Sequence, residues 1–359
     1  MKVVNFGSTY QIYQDDLKTY DELPAGTYIV RFNPMAGFSL ERSTDYVNTE
    51  EKVYGEANGK TAKILKAYNK MDSSLGLILS GDKGIGKSLF IRLLGEEVIK
   101  LGMPVIIVNR AFQGIADFIE SIDQEVLVLF DEFEKVFDKR KEGGESQDDL
   151  LGLFDGMSQT KRLYAITVNE LGRVSEYMIN RPGRFHYHLR FDYPDASGIR
   201  EYLEDKVELK YHAEIENAVS FGNRVKLNYD CLRAVAFELN LGTSFKEAIK
   251  DLNILNTKQE PYNVTVQFKN HPPITKTYHL DMFSPEDQTI DFYNVSRDGV
   301  EATFNIADVE FKTTGEMVVP GDKVKLNLYD DNDTYINGQV ETVSLTITSK
   351  KQNSLHYLV

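Results

Sequence analysis

The chain has 359 residues, 42% of them apolar, and a formal net charge of −14. That length accommodates two or three domains with substantial cores. The acidic balance argues against a general polyanion binder, because affinity for nucleic-acid backbones comes largely from Lys and Arg, although a local basic channel stays open. The only cysteine, Cys231, excludes an intrachain disulfide and fits a cytosolic life. The longest apolar runs are about seven residues, far below a membrane span, and the Met1-Lys2-Val3-Val4-Asn5-Phe6 start lacks the apolar core of a signal peptide. The expectation is a soluble, cytoplasmic protein with no membrane partner.

In chain order, residues 1–50 read as an N-terminal β-containing segment, with a strand at 27–32 after Pro24-Ala25-Gly26. Residues 51–195 alternate apolar strand-like runs, at 75–80, 105–108, 126–130, 163–168 and 186–191, with helix-like stretches. This alternation predicts an α/β fold with a parallel sheet and helices on both faces. Residues 196–258 read as all-helical, with segments near 197–209, 212–222, 228–240 and 244–255. From 259 to 359 short β-branched runs alternate with turn clusters such as Pro320-Gly321-Asp322, which predicts an all-β sandwich or small barrel. From Pro261 onward this part holds 14 Asp and Glu against 8 Lys and Arg, so it is acidic in its own right.

Between the 75–80 run and a helical stretch ending near Lys100 lies Gly81-Asp82-Lys83-Gly84-Ile85-Gly86-Lys87-Ser88, followed by Leu89. It fits the phosphate-loop pattern G-x-x-x-x-G-K-[ST] in its required setting, a strand before and a helix start after. Glycines let backbone N–H groups turn inward on the phosphates, and the helix N-terminus adds partial positive charge. Lys87 supplies a point charge for the outer phosphates, and the Ser88 hydroxyl is a ligand for Mg2+. The expected ligands are therefore ATP and Mg2+.

The third apolar run of the α/β part delivers Asp131 and Glu132 at its carboxyl end, where ligands bind in open parallel sheets. Asp131 is expected in the Mg2+ shell, and Glu132 orients and polarises the attacking water. A strand ending in two solvated acids is the alternative. Asn169 closes the next strand, where its amide either helps hold that water or starts a turn.

Three further stretches carry a resemblance. Leu150-Leu151-Gly152-Leu153-Phe154-Asp155-Gly156 is similar to the L-L-x-x-L-D-G stretch of the AAA family of ATPases. Asn180-Arg181-Pro182-Gly183-Arg184-Phe185 resembles that family's R-P-G-R-F motif, and Tyr193-Pro194-Asp195 resembles the P-D leading into its helical lid. The resemblance runs across residues 51–258. It implies a P-loop NTPase sheet with a helical lid, a homo-oligomeric ring of six subunits, and ATP bound between neighbours. It also implies that Arg181 and Arg184 act in trans as arginine fingers and that Asp155-Gly156 carries nucleotide state between subunits. Val53-Tyr54-Gly55 resembles the segment that brackets the adenine, with ordinary packing as the alternative. The segment Leu241-Gly242-Thr243-Ser244-Phe245 resembles the start of the last lid helix but carries no arginine there, so no lid arginine is expected on the phosphates.

Phe112-Gln113-Gly114 stands where rings of this kind that remodel proteins line their pore with aromatic-apolar-glycine. An exposed Phe112 can grip a threaded chain, or it can pack beneath the following helix. Lys139-Arg140-Lys141-Glu142-Gly143-Gly144-Glu145-Ser146 forms a second candidate pore loop, whose three basic residues could touch a protein or nucleic-acid backbone, or a solvated charge run. The favoured expectation is a ring-forming ATPase that remodels or translocates a protein substrate. A nucleic-acid motor or loader, and a nucleotide-switched assembly scaffold, are the alternatives. The six histidines form no metal-ligand spacing with Cys231.

Overall fold

The computed structural model describes residues 2–6, 8–14, 18–45, 57–138, 144–155, 160–222, 224–254, 261–269, 272–282, 284, 286–293, 299–311, 317–329, 335–336 and 342–349. The chain divides into two compact units, Met1–Asp192 and Tyr193–Val359.

The first unit begins with a hairpin of β1 (Lys2–Phe6) and β2 (Thr9–Tyr13), which forms a two-stranded sheet of its own. There follow β3 (Thr27–Asn33), β4 (Gly37–Arg42), α1 (Ala57–Lys70), β5 (Leu75–Ser80), α2 (Lys87–Lys100), β6 (Val105–Val108), α3 (Ile115–Glu120) and β7 (Leu127–Phe130). Then come α4 (Phe133–Val136), α5 (Leu151–Phe154), β8 (Leu163–Val168) and β9 (Tyr187–Arg190). Seven of these strands make one sheet in the order β4-β3-β6-β7-β8-β5-β9, parallel except for the β3–β4 pair.

Alternate residues of the central strands serve two cores, as the two-residue period of a strand demands. Ile78, Ile106, Val128, Phe130 and Ile166 pack with Ile115 and Ile119 of α3, Phe133 of α4 and Phe154 of α5. Leu77, Leu79, Leu127, Leu129 and Ala165 pack with Ile64 and Tyr68 of α1 and with Phe90 and Leu94 of α2. Burial on both faces is why these strands read as unbroken apolar runs. The connection from β5 to β6 passes over β8 and β7, while β9 returns to the other side of β5. The carboxyl end of β5 is therefore a topological switch point, where open sheets form their ligand crevice.

The structure differs from the sequence expectation at the N-terminal segment. The strand placed in a separate 1–50 segment is β3, and it pairs in parallel with β6 through Thr27↔Val105 and Ile29↔Ile107. Its hairpin partner β4 then forms the sheet edge, so residues 27–42 belong to the α/β sheet.

The second unit opens with α6 (Ala196–Lys206), α7 (Ile215–Gly222), α8 (Tyr229–Asn240) and α9 (Phe245–Asp251). The starts of α6, α8 and α9 are fixed by side-chain caps: Asp195 accepts from Gly198 N, Asn228 accepts from Cys231 N, and Ser244 and Glu247 form a capping box. The helix expected from 212 begins only at Ile215, because Leu209–Glu214 is wound as a tighter 3-10 turn.

The β part contains β10 (Pro261–Phe268), β11 (Ile274–His279), β12 (Asp287–Tyr293), β13 (Gly299–Asn305), β14 (Glu310–Phe311) and β15 (Met317–Pro320). It ends with β16 (Lys325–Tyr329), β17 (Tyr335–Ile336) and β18 (Thr342–Ser349). Two antiparallel sheets, β11-β10-β18-β15-β14 and β12-β13-β16-β17, share one core of Val264, Val266, Ile290, Phe304, Leu345 and Ile347.

Candidate nucleotide-binding site

The loop after β5 turns on glycines. Gly81, Gly84 and Gly86 have φ of 142°, 75° and 103°, a region that L side chains rarely adopt. A Cβ at Gly81 would also overlap the Phe191 carbonyl and the Ile85 side chain. The loop runs directly into α2 at Lys87, with Gly86 as the preceding cap residue. Ile85 is anchored in the interior, Leu89 is half-buried, and Asp82, Lys83 and Ser88 are exposed.

Lys87 is 8% exposed, yet its ammonium donates to three oxygens: Gly81 O at 2.5 Å, Asp82 O at 2.7 Å and Asn169 Oδ1 at 2.9 Å. Burial lowers its proton affinity, opposed by the negative charges of Asp82, Glu134, Asp131 and Glu132. Asn169 turns its other amide atom the opposite way: Nδ2 donates to Glu132 Oε1 at 3.2 Å. One amide thus connects the loop lysine to the acid at the end of β7.

Glu132 also accepts from Lys135 Nζ at 2.8 Å and faces Lys83 Nζ at 3.3 Å. The Lys135 hydrogen bond, with help from Lys83, holds its carboxyl below the usual carboxylate range, so it is ionised at neutral pH. Its backbone is left-handed, φ 45° and ψ 48°. Asp131 beside it is exposed and accepts from the Thr167 hydroxyl at 2.6 Å. Glu134, 1% exposed, accepts from Asn169 N at 3.1 Å.

The set fits a nucleoside triphosphate with a divalent cation. A glycine turn that a Cβ would obstruct leads to a buried ammonium among oxygens, and to an exposed hydroxyl and an exposed carboxylate at the same sheet end. Ser88 and Asp131 are the residues that would hold Mg2+, and hard oxygen donors suit that ion. Among the described residues, no His, Cys, Asp and Glu group forms a separate metal cluster.

The two arginines stand apart from these groups. Arg184 forms a two-bonded ion pair with Asp155 of its own chain and donates through Nη1 to Tyr177 O at 2.5 Å. Arg181 is exposed, its guanidinium 5.7 Å from the centre of the Tyr177 ring. Gly76 on β5 lets this segment approach closely, since a Cβ there would overlap the Arg184 carbonyl.

The candidate pore loop also differs from an exposed grip. Phe112 is half-buried, 5.6 Å from Phe32 and 6.2 Å from Phe38, both from the β3–β4 hairpin. Gln113 is exposed, and Gly114, with φ 82°, caps α3 and donates its N–H to Glu145 Oε1 at 2.8 Å. Tyr54 and Gly55, Lys139, Arg140 and Lys141, and Gly156 lie outside the described residues.

Sequence reading missed Lys135, Glu134 and Thr167. The first two had a signal in their nearness to Glu132, and the third in its place on β8 two residues before Asn169, which follows directly at the strand end.

A mostly parallel sheet with a glycine phosphate loop at its switch point, followed by strand-end acids, defines a P-loop nucleotide-binding protein. Residues 77–193 match the model of the ATPase family associated with various cellular activities, AAA. The chain thus carries a domain of the AAA family. It is 26% identical over 130 residues to a proteasome-associated ATPase of Frankia casuarinae, covering 34% of this chain and 21% of that one. It is 28% identical over 187 residues to the ATP-dependent zinc metalloprotease FTSH 9 of Oryza sativa subsp. japonica, covering 46% and 22%. Protein SAV of Sulfolobus acidocaldarius is 26% identical over 148 residues, covering 37% and 19%. The chain spans about a fifth of the length of these curated relatives. No described helix is long and apolar enough to cross a membrane.

Proposed function

We propose that this chain is a Mg2+-dependent ATPase that assembles into a ring, with six subunits expected, and couples hydrolysis to remodelling of a protein substrate. The observation that carries the reading is the Lys87–Asn169–Glu132 chain of hydrogen bonds, which places a buried ammonium, an amide and an ionised carboxylate side by side. In this scheme the loop N–H groups and Lys87 bind the triphosphate, as Gly81 through Leu89 require. Ser88 and Asp131 would hold Mg2+, which would supply charge neutralisation at the phosphate oxygens. Glu132 accepts a hydrogen bond from the attacking water, and Asn169 fixes the carboxylate that does so.

Arg181 and Arg184 reach the γ-phosphate of a neighbouring subunit in this reading, and Arg184 exchanges Asp155 for phosphate when it does. Tyr54 and Gly55 bracket the adenine. Residues 196–258 form the lid, and residues 259–359 recognise a partner. The names of two relatives, one associated with a proteasome and one an ATP-dependent protease, favour a protein substrate over nucleic acid, as does the net charge of −14. A cytoplasmic place fits the single cysteine.

A second reading, a scaffold whose nucleotide only times assembly, gains support from the packing of Phe112 against Phe32 and Phe38. Steady-state ATP hydrolysis, measured alone and with unfolded protein, single-stranded DNA or duplex DNA, separates these readings. Stimulation by unfolded protein alone is expected. Stimulation by DNA alone would favour a nucleic-acid motor. Turnover unchanged by any polymer, with assembly following nucleotide state, would favour the scaffold.

A further inference from the structure

We infer that Thr167 is a positioning residue for the hydrolytic acids, acting on Asp131 and Glu132 through one hydroxyl group. The inference rests on the reading of this site as a Mg2+-dependent ATPase. Thr167 lies near the end of β8, next to β7, and is 5% exposed. Its Oγ1 donates to Asp131 Oδ1 at 2.6 Å and accepts from the Glu132 backbone N–H at 2.8 Å. The first distance is that of a hydroxyl bonded to an ionised acceptor, among the stronger hydrogen bonds in proteins.

The two bonds act on different things. The bond to Asp131 selects one orientation of a carboxylate that is exposed and would otherwise sample several. The bond to Glu132 N holds a backbone turn at φ 45° and ψ 48°, a conformation uncommon for a residue with a Cβ. Glu132 O in turn accepts from Lys135 N at 2.8 Å and Val136 N at 3.0 Å, so the turn starts α4. One oxygen therefore fixes the spacing between Asp131, the acid that would hold the metal, and Glu132, the acid that would face water. Groups that orient metal ligands in this way typically matter 10- to 100-fold for metal affinity or activity. Valine matches threonine in shape but lacks the hydroxyl, so it leaves the Glu132 N–H without this acceptor and releases the Asp131 carboxylate.

The test compares Thr167→Val and Thr167→Ser with wild type in two measurements. The first is binding of a fluorescent ATP analogue, titrated with Mg2+ in the Glu132→Gln background, where the Glu132 backbone N–H is retained and turnover is removed. Thr167→Val is expected to raise the Mg2+ half-saturation by about tenfold while leaving metal-free binding of the analogue unchanged. The second is steady-state hydrolysis without the Glu132 change, where kcat should fall by about tenfold or more with KM for ATP little altered. Thr167→Ser should recover most of both.

Wild-type Mg2+ half-saturation and kcat in Thr167→Val would overturn the inference. So would a Thr167→Ser variant as impaired as Thr167→Val, which would assign the position to packing of the methyl group. If Thr167→Val does not fold, Thr167→Ala is judged by the same Mg2+ titration and by its melting curve. Wild-type protein that binds no analogue with Mg2+ would overturn the ATPase reading and this inference with it. Wild-type binding with an unaffected Thr167→Val would overturn the inference alone.

Discussion

Arg184 and Asp155, twenty-nine residues apart, grip one another within a single chain, with Nη2 2.8 Å from Oδ2 and Nε donating to Oδ1. The arginine side chain is 11% exposed and the aspartate 36%. Arg184 holds the Asp155 carboxyl below the usual carboxylate range, first through the hydrogen bond and then through its charge.

Because the folded carboxyl binds its proton less readily than the unfolded one, the pair stabilises the fold above the unfolded pKa. That contribution is lost as pH falls through the depressed folded value. Asp155→Ala should therefore cost about 1 kcal/mol at neutral pH, the scale for a partly exposed pair. Melting curves should show the same deficit from pH 8 to pH 5, shrinking only below about pH 4. A deficit that vanishes between pH 7 and pH 5 would count against the pairing.

The packing of Phe112 gives a second expectation. Truncating a half-buried aromatic that touches Phe32 and Phe38 removes packing from the sheet edge. Phe112→Ala should lower unfolding stability by about 2 kcal/mol, below the range for a fully buried phenylalanine. Denaturant unfolding measures this directly. Unchanged stability, together with loss of stimulation by unfolded protein, would restore Phe112 to the role of a free grip.

Glu145 holds both Gly114 N and Ala116 N, at 2.8 and 3.4 Å, and so ties the 144–149 stretch to the start of α3. Burial raises its pKa while the two backbone donors oppose the shift. Glu145→Ala should speed hydrogen exchange at Gly114 by about tenfold, the worth of one charge-assisted bond. Glu145→Gln keeps an oxygen acceptor and should exchange more nearly as wild type does. Equal exchange in all three proteins would show that the carboxylate does not hold the loop.

These relationships also mark where sequence reading reaches and where it stops. The strand of 75–80, the glycine loop and the acids at 131 and 132 announce themselves, because their chemistry demands particular residue types at fixed local spacing. Apolar runs buried on both faces made four parallel strands of the sheet, β5, β6, β7 and β8, legible for the same reason. The strand at 27–32 was visible too, but its partner was not. Pairing between Thr27 and Val105 is a long-range event that leaves no local pattern. The same limit explains Phe112, whose neighbours Phe32 and Phe38 come from that hairpin, and Arg184, whose motif suggests a role in trans while Asp155 holds it in cis.

We propose the Lys87–Asn169–Glu132 chain as a hydrolytic site for ATP. ATP binding and ATP hydrolysis, measured together in Glu132→Gln with Lys87→Ala for comparison, decide this. Glu132→Gln should bind ATP about as tightly as wild type while turnover falls by about 100-fold or more, because the ionised acceptor for the water is gone. Lys87→Ala should lose roughly 30-fold or more in binding, about 2 kcal/mol for a buried, hydrogen-bonded charge. Normal turnover in Glu132→Gln, or unaltered binding in Lys87→Ala, would mean that these groups are not the hydrolytic site.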